Sequence, residues 1–146
     1  MKTIIAIWNS AEKGKSSTIL ELTNLLLTKF PNHKIVFCDK DVNKLTIDFR
    51  LIIEINGKTI ALESQGDPGT KLEHRLDNVE AKYHPFLIFC TCRTRGETVA
   101  AINNVSKRHL YDKIWTSTYD TTHSYKLING IKAEHLLDLI IKMQLI

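Results

Sequence analysis

Apolar positions along the chain follow two periods. Ile4-Ile5-Ala6-Ile7-Trp8 and Lys34-Ile35-Val36-Phe37-Cys38 are short, nearly unbroken runs, the pattern of strands buried on both faces of a sheet. Phe86 to Thr91, behind Pro85, is a third such run, and Lys113-Ile114-Trp115-Thr116 a short last one. Between them the spacing lengthens to that of helices. Ile19, Leu22, Leu26 and Phe30 make one stripe, ended by Pro31-Asn32. Leu72, Leu76, Val79 and Tyr83 make a second, Val99, Ile102 and Val105 a third, and Ala133 to Met143 reads as a last amphipathic helix. Thr70 with Glu73, and Thr94 with Glu97, have the spacing of capping boxes that would open the second and third helices.

Phe49 to Glu63 reads as two strands joined by Asn56-Gly57, a hairpin turn whose two positions both need positive φ. One member of that pair must run antiparallel. Strands alternating with helices over residues 1–146 predict a single α/β domain in three layers, with a mostly parallel central sheet and one antiparallel strand. No repeat, linker or low-complexity segment interrupts the pattern.

Composition changes this picture little. No apolar stretch approaches the ~18 residues that span a bilayer, and the N-terminus lacks the pattern of a secretory signal, so the expected location is cytoplasmic. A formal charge of +4 mildly favours anionic ligands, but the basic residues are spread along the chain without aromatic interleaving, which leaves nucleic-acid binding unsupported. Cys38, Cys90 and Cys92 lie in or beside strand-like runs and are expected as reduced, mostly buried thiols. Cys90 and Cys92 would face one side of a strand, with no second ligand pair in sequence to complete a metal site. The histidines show no ligand spacing.

The chemistry concentrates behind the first strand. Asn9-Ser10-Ala11-Glu12-Lys13-Gly14-Lys15-Ser16, with Ser17 opening a helical pattern, has the layout of a phosphate-binding loop: strand, tight turn, Gly-Lys-Ser, helix. Such a turn aims backbone N–H groups and a helix N-terminus at one point. Lys15 would reach the outer phosphates and the Ser16 hydroxyl would ligate Mg²⁺. Asn9 stands where glycine is usual; its tolerance of left-handed angles is expected to let the loop close.

Ligands of open parallel sheets sit beyond the carboxyl ends of the strands. There the chain supplies Asp39 and Asp41, then Glu63, Gln65 and Asp67, then Arg93 and Arg95. Asp39 and Glu63 are the first candidates to hold Mg²⁺ with Ser16; Asp39 or Gln65 would orient an attacking water, and Asp41 and Asp67 are secondary. Arg93 or Arg95 would neutralise charge on a transferring phosphoryl group.

Lys13-Gly14-Lys15-Ser16-Ser17-Thr18, the helix after it, and Lys34-Ile35-Val36-Phe37-Cys38-Asp39-Lys40-Asp41 resemble the opening of the ParA/MinD-type partitioning and cell-division-site ATPases, within the P-loop NTPase superfamily. The resemblance covers about the first half of the chain. It implies Lys15 and Ser16 on phosphate and Mg²⁺, Asp39 on the hydrolytic water, and Ile60 to Gly69 as a second acidic motif with Glu63 in place of Asp. The family's extra loop lysine falls at Ser10, so its contact across a dimer has no donor here. The Gly-Lys-Ser loop, Asn-Gly hairpin and acidic-Gly loop are also similar to small GTPases, but no Asn-Lys-x-Asp guanine signature is present.

The expected function is Mg²⁺-dependent binding and slow hydrolysis of a nucleoside triphosphate, ATP first, with a homodimer or protein partner in a switch-like role. Two alternatives remain open. One is a small phosphotransferase whose Arg93 and Arg95 clamp an acceptor; the other is an interaction module with a degenerate loop and no catalysis.

Overall fold

Both periods are realised as a six-stranded sheet between two helical layers. The computed structural model describes residues 1–11 and 13–146. Along them run β1 (Thr3–Trp8), α1 (Lys15–Lys29), β2 (Lys34–Cys38), β3 (Arg50–Ile55), β4 (Lys58–Glu63), α2 (Leu72–Tyr83), β5 (Leu87–Cys92), α3 (Glu97–His109), β6 (Asp112–Ser117) and α4 (Tyr125–Lys142). The strand order is β2-β3-β4-β5-β1-β6. β1 pairs in parallel with β5 and β6, and β4 with β5. β3 is antiparallel to both its neighbours, so it alone runs against the rest.

Side-chain alternation divides the core into two layers. Ile5, Ile7, Leu51, Ile53, Leu62 and Phe89 pack with Ile19, Leu22 and Leu26 of α1 and with Ala133, Leu136 and Ile140 of α4. Ile4, Ala6, Ile52, Ala61, Ile88 and Cys90 pack with Leu76 and Val79 of α2 and Ile102 and Val105 of α3. The hairpin turn has positive φ at both Asn56 (52°) and Gly57 (76°), with Ile55 opposite Lys58. Cys90 and Cys92 are buried free thiols on one face; Cys38 is half-buried. Among the described residues no helix is long and apolar enough to cross a membrane.

Four local expectations are corrected. β2 is not buried on both faces. It is an edge strand with Ile35 and Val36 40% and 49% exposed, because it pairs only with β3, although Phe37 still packs on Tyr83 of α2. Neither capping box forms. The Thr70 hydroxyl donates to Asp67 O, and Glu73 is taken by Arg108 and Asn104; the α2 N-cap is Lys71. α3 is preceded by Gly96, and Glu97 instead accepts from Gly69 N. α4 begins at Tyr125 rather than Ala133. Asn129-Gly130 are poor helix formers, and packing of Asn129 and Ala133 on the core carries the helix through them.

Candidate functional site

β1, β4 and β5 end side by side, and the loops leaving them enclose a cleft of about 210 Å³. One wall is the Lys13–Ser17 turn into α1. The others are Gly66 and Asp67 after β4, Thr91 near the end of β5, and Ile47 and Asp48 from the loop that precedes β3.

The turn closes by its own chemistry. Gly14, at φ 77°, is the N-cap of α1 in the left-handed region, and its carbonyl accepts from both the N–H and the hydroxyl of Thr18. Among the described residues no side chain caps α1 and its first turn holds no acid, so within them the N–H groups of that turn have neither an intrahelical acceptor nor a built-in counter-charge. Asn9 does not take the left-handed angles expected of it. Its side chain fixes the turn instead: Oδ1 accepts from Ser10 N at 2.7 Å, and Nδ2 donates to Thr118 Oγ1 at 2.9 Å, tying the loop to the end of β6. Ala11 is exposed, and Glu12, also expected in the loop, lies outside the described residues.

Lys15 is 6% exposed. Its Nζ donates to the carbonyls of Asn9 at 3.0 Å and Ser10 at 2.7 Å. Burial pushes its pKa down, the negative charge of Asp67 opposes that shift, and Arg93 adds to it. Among the described residues no carboxylate is within ion-pair distance of it. Ser16 Oγ donates to Ser64 O at 2.7 Å, and Thr91 Oγ1 donates to the same carbonyl at 3.1 Å, which locks the β4 and β5 ends to α1. Gly66 permits this closeness: a Cβ there would stand 1.6 Å from Thr91 O.

The acids sort differently from their sequence order. Asp67 lines the cleft and its Oδ1 accepts from Arg93 Nε at 3.0 Å. Glu63 does not line it. Alternation along β4 sends Ile60 and Leu62 to the α1 face and Ala61 and Glu63 to the α2 face. There Glu63, 1% exposed, is clamped by Arg50 Nε at 2.6 Å and by Arg75 of α2. Asp39 closes β2 at the sheet edge, four strand spacings (roughly 19 Å) from β1. Its carboxylate accepts from Arg50 N. Gln65 is exposed and contributes its carbonyl to Arg75. Asp41 caps the short turn at Val42–Lys44. Arg93 reaches the cleft's Asp67, whereas Arg95 is exposed beside the α3 start and is not among the lining residues. Lys13 lines the cleft and bonds Asp120 at 3.1 Å.

Sequence patterning passed over Ile47, Asp48 and Thr91 as site residues. Thr91 had a signal, a polar residue near the end of a buried strand; Asp48 had none, because its place depends on how the loop before β3 folds back. Among the described residues there is no cluster of three or more metal-ligating side chains. The chain matches no protein-family model, no curated protein and no solved structure.

Proposed function

We propose that the cleft between Lys13–Ser17 and Asp67 binds the polyphosphate of a nucleoside triphosphate with Mg²⁺ and hydrolyses it slowly. The observation that carries this reading is Lys15, a buried ammonium held by two loop carbonyls and lining a cleft that the N-terminus of α1, without a side-chain cap among the described residues, also lines. A phosphate oxygen entering there gains a charge-assisted bond from Lys15 and the free N–H groups of the first turn.

The donor set suits Mg²⁺, which typically takes one or two carboxylates, substrate oxygens and water rather than an all-protein cage. Ser16 spends its proton on Ser64 O, so its lone pairs remain for a cation, and Asp67 lines the same cleft. Asp67 therefore replaces Glu63 and Asp39 as the preferred metal carboxylate. Bound there, Mg²⁺ would neutralise charge on the outer phosphates. Asp48, also lining the cleft, is a carboxylate able to accept a hydrogen bond from an attacking water. Slow turnover fits the exposed position of Gln65 and the engagement of Arg93 by Asp67.

Calorimetric titration with a non-hydrolysable ATP analogue tests this. Wild type should bind in a Mg²⁺-dependent way, folded Lys15→Ala should lose at least about tenfold in affinity (~1.4 kcal/mol), and Asp67→Asn should lose the Mg²⁺ dependence. No binding at millimolar ligand would sink the reading. Product analysis with candidate acceptors separates hydrolysis from phosphoryl transfer.

A further inference from the structure

Gly130 stands inside α4, where the single chain has no use for a glycine. It is not among the glycines with positive φ, and a Cβ built on it would meet no heavy atom within 4 Å. Alanine would fit there and would favour the helix, because an interior glycine costs backbone entropy. What the glycine does provide is room for another backbone to come close.

The missing side chain leaves a depression of about 510 Å³ on the α1–α4 layer, lined by Leu127, Gly130 and Ile131 and by Lys126, Glu134 and Glu21. Leu127 is 63% exposed beside it, and Ile131, one turn on, is half-buried. Lys126 and Glu134 lie four positions before and four after Gly130, so the three share one ridge of the helix. About 12 Å of helix rise separates Lys126 from Glu134, too far for them to pair in one chain. Among the described residues, none of Lys126, Glu134 and Glu21 forms an ion pair.

We infer that this face binds a second copy of the same chain, with the two α4 helices crossing antiparallel at Gly130. A two-fold axis there sets Lys126 opposite the partner's Glu134, and Glu134 opposite the partner's Lys126, as an isologous contact requires. A parallel crossing would set lysine against lysine and glutamate against glutamate, so charge selects the antiparallel one. Without a Cβ at position 130 the axes can approach to the short end of the ~8–10 Å range for packed helices. Leu127 then covers apolar surface in the partner's depression. None of these residues lines the phosphate cleft, so the inference stands apart from the nucleotide reading.

Sedimentation velocity on the full chain, over a concentration series into the high micromolar range, tests this contact. Wild type should pass from monomer to dimer. Gly130→Leu should weaken the dimer at least about tenfold, yet raise the thermal midpoint at concentrations where wild type is monomeric, since leucine is the better helix former. Lys126→Glu and Glu134→Lys should each weaken self-association about tenfold. An equimolar mixture of those two variants should form a heterodimer, because every facing pair again has opposite sign. A wild type that stays monomeric throughout overturns the inference. So does a dimer indifferent to Gly130→Leu and to both charge reversals, which would place the contact on another surface. A mixture that associates no better than either variant alone overturns the antiparallel pairing and the inference with it.

Discussion

Lys15 carries an ammonium into a place with little water. Its partners are two neutral carbonyls, and burial lowers its pKa. Such a charge is retained at a cost to the empty protein, because carbonyls replace hydration incompletely. Lys15→Met keeps the apolar stem and removes the charge. The expected result is a ligand-free protein about 1 kcal/mol more stable in urea denaturation, together with loss of nucleotide binding. A clear destabilisation would mean that the lysine serves the loop's own structure. The neighbouring Asn9 teaches a different lesson. It substitutes for glycine by bonding Ser10 N and Thr118, not by left-handed geometry, so residue type alone misjudged how this loop closes.

At the scale of elements, β3, β4 and α2 meet at Glu63. Arg50 and Arg75 both bond its carboxylate; Arg50 also donates to Arg75 O, and Arg75 to Gln65 O. Burial lowers the pKa of both guanidiniums, which places the cluster in a poorly solvated joint. Removing the shared carboxylate leaves two cations facing each other. Glu63→Gln should therefore cost about 3 kcal/mol in a denaturant titration while Mg²⁺-dependent binding survives in the folded fraction. Unchanged stability with lost Mg²⁺ dependence would instead return Glu63 to the metal. The core-facing stripes of α1 and α2 were legible in the sequence, as were Ile102 and Val105 of α3 and the Asn56-Gly57 turn, because burial and φ requirements are local; Val99 stands off the core and the first half of α4 was not foreseen. Helix starts were not, since Glu73 and Glu97 found partners on other elements before they could cap their own.

For the molecule as a whole, the α2–α3 layer is laced by carboxylates. Glu73 is held below the ordinary range by hydrogen bonds from Arg108 and then Asn104. For Asp77, burial pushes upward, but His109 and Arg108 outweigh it; for Glu80, burial is likewise outweighed by Lys2 and Tyr111. Folded-state values below the unfolded ones contribute stability above the unfolded pKa and lose it as pH falls through the folded pKa. Denaturation free energy should thus be flat near neutrality and decline below about pH 4.5, the ordinary glutamate value. Glu80→Gln, which keeps the hydrogen-bonding shape, should shallow that decline. A slope equal to wild type would show that the ion pairs do not bias folding.

The sequence by itself determined the elements, the single antiparallel strand and the turn that presents Lys15 and Ser16, because alternation, helical spacing and Gly-Lys-Ser chemistry act within a few residues. Only tertiary structure decided which acid accompanies that turn. Strand order put β2 at an edge and carried Asp39 across the sheet from β1, and the pleat turned Glu63 toward α2. The close contact of Gly66 with Thr91 brought Asp67 to the cleft, and α4 set Asn129 against Gly14. Each of these depends on contacts between segments far apart in the chain, which no local pattern encodes.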